Sequence, residues 1–142
     1  MMYDKLLTFG TDQAVTATAA STDIVDLGAT RDIGNGEPMS LVILCTESAT
    51  ASGSATVTFT FETDDNSGFS SAANLASSGA IGKASLTAGT EVLRVRVPFG
   101  VERYLRVNHT VATGPLTAGK FTAFLAHDRQ TSTAYASGFT VS

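Results

Sequence analysis

Ser54–Glu62 reads SATVTFTFE. Ala55, Val57, Phe59 and Phe61 fall on one side of an extended chain, and Thr56, Thr58, Thr60 and Glu62 on the other. A period of two, in a run of β-branched and aromatic residues, specifies a half-buried strand. The same alternation spreads outward from this stretch. Glu91–Val97 (EVLRVRV) sets Leu93, Val95 and Val97 against Arg94 and Arg96. Glu102–Val111 (ERYLRVNHTV) sets Leu105, Val107, His109 and Val111 against Tyr104, Arg106, Asn108 and Thr110. Pro98-Phe99-Gly100 between these runs is a turn signal, so the two predict a β-hairpin. Lys120–His127 (KFTAFLAH) is another strand, and Asp23–Leu27 and Ala14–Ala19 are weaker candidates.

Met39–Cys45 (MSLVILC) is apolar on both faces. It predicts a central strand covered on both sides, more core than dimer surface. Asp64 to Thr90 lacks a strong pattern. One or two short strands are expected near Ala80–Leu86, with a looser excursion around Phe69–Ser78 or a short helix over Ser70–Ala76. About eight short strands with turn residues between them predict an all-β chain, a jelly-roll-like β-sandwich. Residues 13–130 are expected to form the sandwich, between a flexible N-terminal arm (1–12) and a flexible C-terminal tail (131–142).

The composition fits such a fold. In 142 residues there are 21 Thr, 20 Ala, 14 Ser and 13 Gly, nearly half the chain, while charged residues are only 15%. Thr and Ser suit the outward face of strands, Ala and Gly the close packing and turns. The length suits one domain. A net charge of −4 argues against a nucleic-acid partner. No apolar run approaches the length of a membrane-spanning helix, so no membrane partner is expected. Met1–Gly10 carries Asp4 and does not read as a secretory signal. Cys45 is the one cysteine, so no disulfide forms within the chain, and its apolar run makes it a buried thiol.

Residues that carry chemistry are sparse. His109 and His127 are the two histidines, and His109 lies on the apolar face of its strand, as a core histidine would. A two-histidine, one-carboxylate metal site would need both to converge on one acid. Asp64-Asp65-Asn66 reads as an Asp/Asn turn, and the spacing of a calcium-binding EF-hand is missing. No Gly-x-Ser-x-Gly nucleophile pattern occurs. No catalytic residue, metal or cofactor is therefore expected, and the chain reads as a non-enzyme. The predicted hairpin would gather Arg94, Arg96, Tyr104 and Arg106, with Glu102, on one polar face. Such a face offers cross-strand pairs and also a docking surface rich in Arg and Tyr.

The order of several segments resembles the small jelly-roll cement, or decoration, proteins of tailed-bacteriophage capsids. The resemblance begins at Met2-Tyr3-Asp4 and Asp12-Gln13-Ala14-Val15-Thr16. It continues through Ala20–Gly28 (ASTDIVDLG), Asp32-Ile33-Gly34-Asn35-Gly36, Leu86-Thr87-Ala88-Gly89 and Arg96-Val97-Pro98. It closes with Arg103–Val107 (RYLRV), Thr117-Ala118-Gly119-Lys120 and Tyr135–Phe139 (YASGF). The resemblance implies a structural virion protein on the capsid exterior, made in the bacterial host cytoplasm. Its partners would be the major capsid protein and a second copy of itself, the homodimer bridging neighbouring capsomers. Candidate contacts are then Met1, Met2, Tyr3, Leu6, Leu7 and Phe9 in the N-terminal arm, the four residues of the hairpin face, and Tyr135 and Phe139 in the tail. The alternative is a carbohydrate- or ligand-binding β-sandwich, which the lack of Trp and the presence of only three Tyr disfavour.

Overall fold

A computed structural model describes residues 4–33 and 36–127. Nine strands follow one another: β1 (Thr8–Ala14), β2 (Ala19–Ala20), β3 (Val25–Asp26), β4 (Ser40–Thr50), β5 (Thr56–Asp64), β6 (Ala73–Gly82), β7 (Glu91–Arg96), β8 (Tyr104–Ala112) and β9 (Ala118–Ala126). They form two sheets that pack as a sandwich. The first has the order β1-β9-β4-β7. In the second, β8 lies between β5 and the short β2 and β3, and β6 forms the far edge beside β5. Every pairing is antiparallel. Nearly every connection crosses from one sheet to the other, and β2 and β3 act as one interrupted edge. This is the jelly roll that the turn spacing predicts.

The inward faces follow the alternation. Val57, Phe59 and Phe61 of β5 meet Leu41, Ile43 and Cys45 of β4 and Phe121, Ala123 and Leu125 of β9 in one core. Phe59 and Phe121 bridge the sheets edge-to-face with ring centroids 5.0 Å apart, a geometry favoured by the ring quadrupoles. Met39–Cys45 behaves as its two apolar faces predict, since β4 is an interior strand between β9 and β7. Val42 and Phe124, partners in the β4–β9 ladder, alternate away from that core and are nevertheless buried.

Three expectations are corrected. β7 and β8 do not form a hairpin: β7 pairs with β4 in the first sheet and β8 with β5 in the second. Alternation shows that each strand has one apolar face, but two such faces can be buried side by side or across a sandwich. Here the connection carries its own buried residues, Val97 and Val101, and Val97 N–H still bonds Met39 O of the first sheet at 2.9 Å. The unpatterned stretch forms one ten-residue strand, β6, longer and earlier than expected, and no helix over Ser70–Ala76. Ser, Ala and Gly hide an edge strand because its exposed side has little to alternate with. Finally, the N-terminal arm gives way to sandwich at Thr8, where β1 begins. Phe9 is fully buried, edge-to-face with Phe61 at 5.9 Å.

Candidate functional site

The two sheets leave the sandwich with two ends. One end gathers the Lys5–Leu7 turn, residues 27–33 and 36–39, residues 65–72 and the β7–β8 connection at 97–103. The other gathers residues 15–18, 51–55, 83–90 and 113–117. Chain direction and register assign them: Ser40, Ala126 and Arg96 stand level in the first sheet, and Tyr104, Asp64 and Asp26 in the second.

At the first end, aspartates hold the backbone. Asp4 Oδ1 accepts from Leu6 N–H at 2.9 Å. Asp32 Oδ1 accepts from Gly100 and Val101 N–H at 2.7 and 3.0 Å. Asp64 uses both oxygens, accepting from Asn66 N–H at 3.2 Å and Ser71 N–H at 2.7 Å. Asp26 accepts from Gly28 N–H at 2.8 Å and takes the Arg103 guanidinium in a two-pronged contact at 2.9 and 3.1 Å. The Arg103 bond, then the Gly28 N–H, hold the Asp26 carboxyl below the usual carboxylate range. The Ser71 N–H does the same for Asp64.

This end also presents apolar side chains to solvent. Among the described residues the exposed large hydrophobics are Leu6, Ile24 and Phe99, at 81%, 39% and 73% exposure; Leu6 and Phe99 sit here, and Ile24 lies on the sheet edge between β2 and β3. At the opposite end the large side chains turn inward, with Leu86 and Leu116 buried. That end has a shallow apolar depression of about 210 Å³ lined by Ser54, Ala55, Gly82, Lys83 and Ala84. The Lys83 ammonium there is spent on Ala51 O.

The expected polar docking face is divided by the loss of the hairpin. Arg94 and Arg96 point outward from the first sheet, Tyr104 and Arg106 outward from the second, on opposite sides of the molecule. Arg94 grips Glu91 in its own strand at 2.9 Å. Arg106 bonds Glu62 at 2.6 Å and lies over the Phe69 ring, 4.4 Å from its centroid. That ring belongs to a residue at φ +51°, a strained backbone that burial and the cation contact offset. Arg103, the neighbour of Tyr104, stacks on its ring at 4.9 Å. Of the expected arm contacts, Leu6 is exposed, Leu7 is half-buried against the core and Phe9 is inside it. Met1, Met2, Tyr3, Tyr135 and Phe139 lie outside the described residues. The exposure of Ile24 and Phe99 is not legible in sequence, where Ile24 reads as part of a strand and Phe99 as part of a turn.

Among the described residues, the groups able to carry chemistry are apart or occupied. His109 is buried between Phe59 and Phe121, with centroids 5.5 and 6.1 Å away, and its Nδ1 donates to Ala19 O at 3.1 Å. Desolvation lowers its pKa, so the ring is a neutral core group, as its place on the apolar face predicts. His127 is exposed, six residues past Phe121 on the chain and roughly 20 Å further along the strand direction. Carboxylate oxygens of Asp64, Asp65 and Glu102 come within 4.8 Å of one another, but those of Asp64 already serve its turn. Cys45 is buried, with Sγ 3.2 Å from Glu47 O, and desolvation pushes its thiol pKa up. No helix among the described residues is long and apolar enough to cross a membrane.

A family model, Bbp16, matches residues 9–125. The chain belongs to the Bbp16 family. The Bbp16 match begins in β1 and ends in β9, so it covers both sheets and both ends. No curated protein matches the chain.

Proposed function

We propose that this Bbp16-family chain is a structural protein of a phage particle, a non-enzyme that binds the exterior of the assembled capsid and bridges neighbouring capsomers. The observation that supports this reading best is the extent of the family match, first strand to last. It makes the family assignment and the cement-protein resemblance concern the same jelly roll. The fold suits the task, because a sandwich pairs its backbone groups internally and resists shear. Binding to the assembled lattice alone stabilises that lattice by mass action. A two-fold dimer adds avidity, since its second contact becomes intramolecular.

The test mixes purified protein with shells assembled from the major capsid protein and images the particles. Extra density on the outer surface, sized for this domain, is the expected result. Shells that remain bare at saturating protein refute the reading. Light scattering on the free protein tests the pairing: twice the chain mass is expected, and a monomer at micromolar concentration removes the dimer.

A further inference from the structure

We infer that residues 17–20 are an acid-released strap, a segment that closes the edge of the second sheet at neutral pH and lifts from β8 when His109 takes up a proton. The inference goes beyond the capsid reading and does not depend on it.

The strap buries little. Residues 17–19 are exposed and Ala20 is half-buried, whereas Val15 before them and Ser21 after them are buried. Two ladder positions hold it to β8, Ala19 opposite His109 and Ala20 opposite Asn108. Ser21 N–H adds a bond to Val107 O at 2.7 Å, Val111 N–H one to Thr18 Oγ1 at 2.9 Å, and Gln13 Nε2 one to Ala20 O at 2.9 Å. A segment with exposed backbone bonds and few apolar contacts opens at lower free energy than the core. Its two ends are fastened separately. Leu116 N–H bonds Thr16 O at 2.9 Å, and Ser21 Oγ bonds Asp23 O at 2.9 Å. The strap can therefore lift while the chain on either side stays in place.

His109 sits where the strap crosses β8. Its Nδ1 donates to Ala19 O, the strap's own carbonyl, and its ring is buried against Phe59 and Phe121. Among the described residues Nε2 has no hydrogen-bond partner. In the neutral ring this leaves a lone pair unused. A proton there would create a buried cation and a donor with no acceptor. The groups around the ring do not relieve that cost. Phe59 of β5, Phe121 of β9 and the Ala19 carbonyl of β2 face it. On β4, Cys45 is the ladder partner of Phe121, but its Sγ bonds Glu47 O and desolvation keeps the thiol protonated. The Glu47 carboxylate pairs with Lys120 at 3.4 Å, with both side chains 45% exposed.

Lifting the strap admits water to the ring. The open state then titrates near 6.5, and the closed state below it. The closed state is therefore fully favoured above about pH 6.5, and opening gains as pH falls. Between about pH 7.5 and pH 5 the open fraction rises by up to about thirtyfold.

Amide hydrogen exchange on the full-length protein, corrected for the intrinsic rate at each pH, tests the strap. Ser21 and Val111 N–H bond across to it or from it, and Ile43 and Ala123 lie in the interior β4–β9 ladder. Ser21 and Val111 are expected to be less protected than Ile43 and Ala123 at both pH values, and to lose about ten- to thirtyfold in protection between pH 7.5 and pH 5. In His109→Gln, which keeps a donor for Ala19 O and cannot titrate, their protection should be the same at both. His109→Phe gives the same comparison if the Gln side chain unsettles the core. Equal protection at the strap and in the β4–β9 ladder would mean that the proton enters only on global unfolding, and overturns the inference. So does strap protection that is unchanged between the two pH values, or an acid loss that persists in both variants.

Discussion

At one end of the sandwich aspartate side chains hold the loops, whereas at the other backbone groups largely hold each other. Cys45 N–H bonds Thr90 O, Ala49 N–H bonds Leu86 O, Leu116 N–H bonds Thr16 O and Thr117 N–H bonds Thr50 O, all between 2.7 and 2.9 Å. Leu86 and Leu116 then sit inside as plugs. The aspartate-held end leaves Leu6 and Phe99 outside, on backbone fixed by the Asp4 and Asp32 side chains. The plugged end gains stability by turning its large residues inward, and among the described residues it exposes no large hydrophobic side chain. The difference separates residues that stabilise the domain from residues available to a partner, and substitutions can test it.

The largest effect belongs to the plugged end. Leu86→Ala removes a fully buried side chain and is expected to cost about 2–5 kcal/mol in chemical denaturation. Phe99→Ser at the other end is expected to change stability by less than about 0.5 kcal/mol. If the two cost the same, the contrast between the ends is wrong.

Asp32→Ala comes next. It leaves the Gly100 and Val101 N–H groups without their acceptor, and Val101 is buried, so a loss of about 1–3 kcal/mol is expected. Amide hydrogen exchange gives the sharper readout. Exchange at Gly100 and Val101 should accelerate, with exchange at Ala49 and Leu116 changing only as global stability does. Uniform acceleration at both ends would show that the aspartate is not a local clamp.

How much of this was legible beforehand depends on what each residue's neighbours in sequence can report. Ser54–Glu62 and Met39–Cys45 declare their strands because burial leaves a period or a continuous apolar run. β6 is hard to see because this edge strand carries Ser77, Ser78 and Gly79 and no apolar period. Ser78 Oγ even enters the ladder, accepting from Phe59 N–H at 3.0 Å. The jelly-roll class was legible from strand spacing, yet the partner of each strand was not. Pro98-Phe99-Gly100 turns the chain equally well within a sheet or between sheets. That one ambiguity misplaced Arg94 and Arg96 relative to Tyr104 and Arg106. The aspartate-held end was illegible for a related reason: the bonds between Asp32 and the N–H groups of Gly100 and Val101 join residues 68 and 69 positions apart, and local pattern holds no trace of them.

Acidity should distinguish the core from the aspartate-held end. His109 is neutral when folded, with its pKa lowered by desolvation from 6.5, so the unfolded chain takes up the proton first. Stability is therefore full above about pH 6.5 and falls below it, by at most about 1.4 kcal/mol per pH unit. Asp26 and Asp64 act in a lower window. Their folded pKa values are depressed below 3.8, so their contribution is present above that value and lost as pH falls through the folded ones. Urea midpoints followed from about pH 8 to about pH 3 should show both limbs. His109→Phe should flatten the upper limb and leave the lower one. A variant that keeps the upper limb would assign that proton uptake to another group.

The smallest effect tests whether the presented end is held by charge pairs or by amide-to-carboxylate bonds. The Lys5–Asp23 pair is 3.2 Å long with side chains 78% and 50% exposed. Water and salt screen such a pair, so Lys5→Ala is expected to lower stability by about 0.2–1 kcal/mol, less at high ionic strength. The pair nevertheless spans the segments of Leu6 and Ile24, and its loss should relax their mutual placement more than it destabilises the fold. Thermal unfolding at low and high salt reads the stability change. A small, salt-sensitive stability change fits an end whose loops are fixed by Asp4, Asp32 and Asp64 and not by this surface pair. A stability loss well above about 1 kcal/mol, insensitive to salt, would instead make Lys5 a structural support through its aliphatic stem. The contrast between an end held by amide-to-carboxylate bonds and one held by packing would then fail at Lys5.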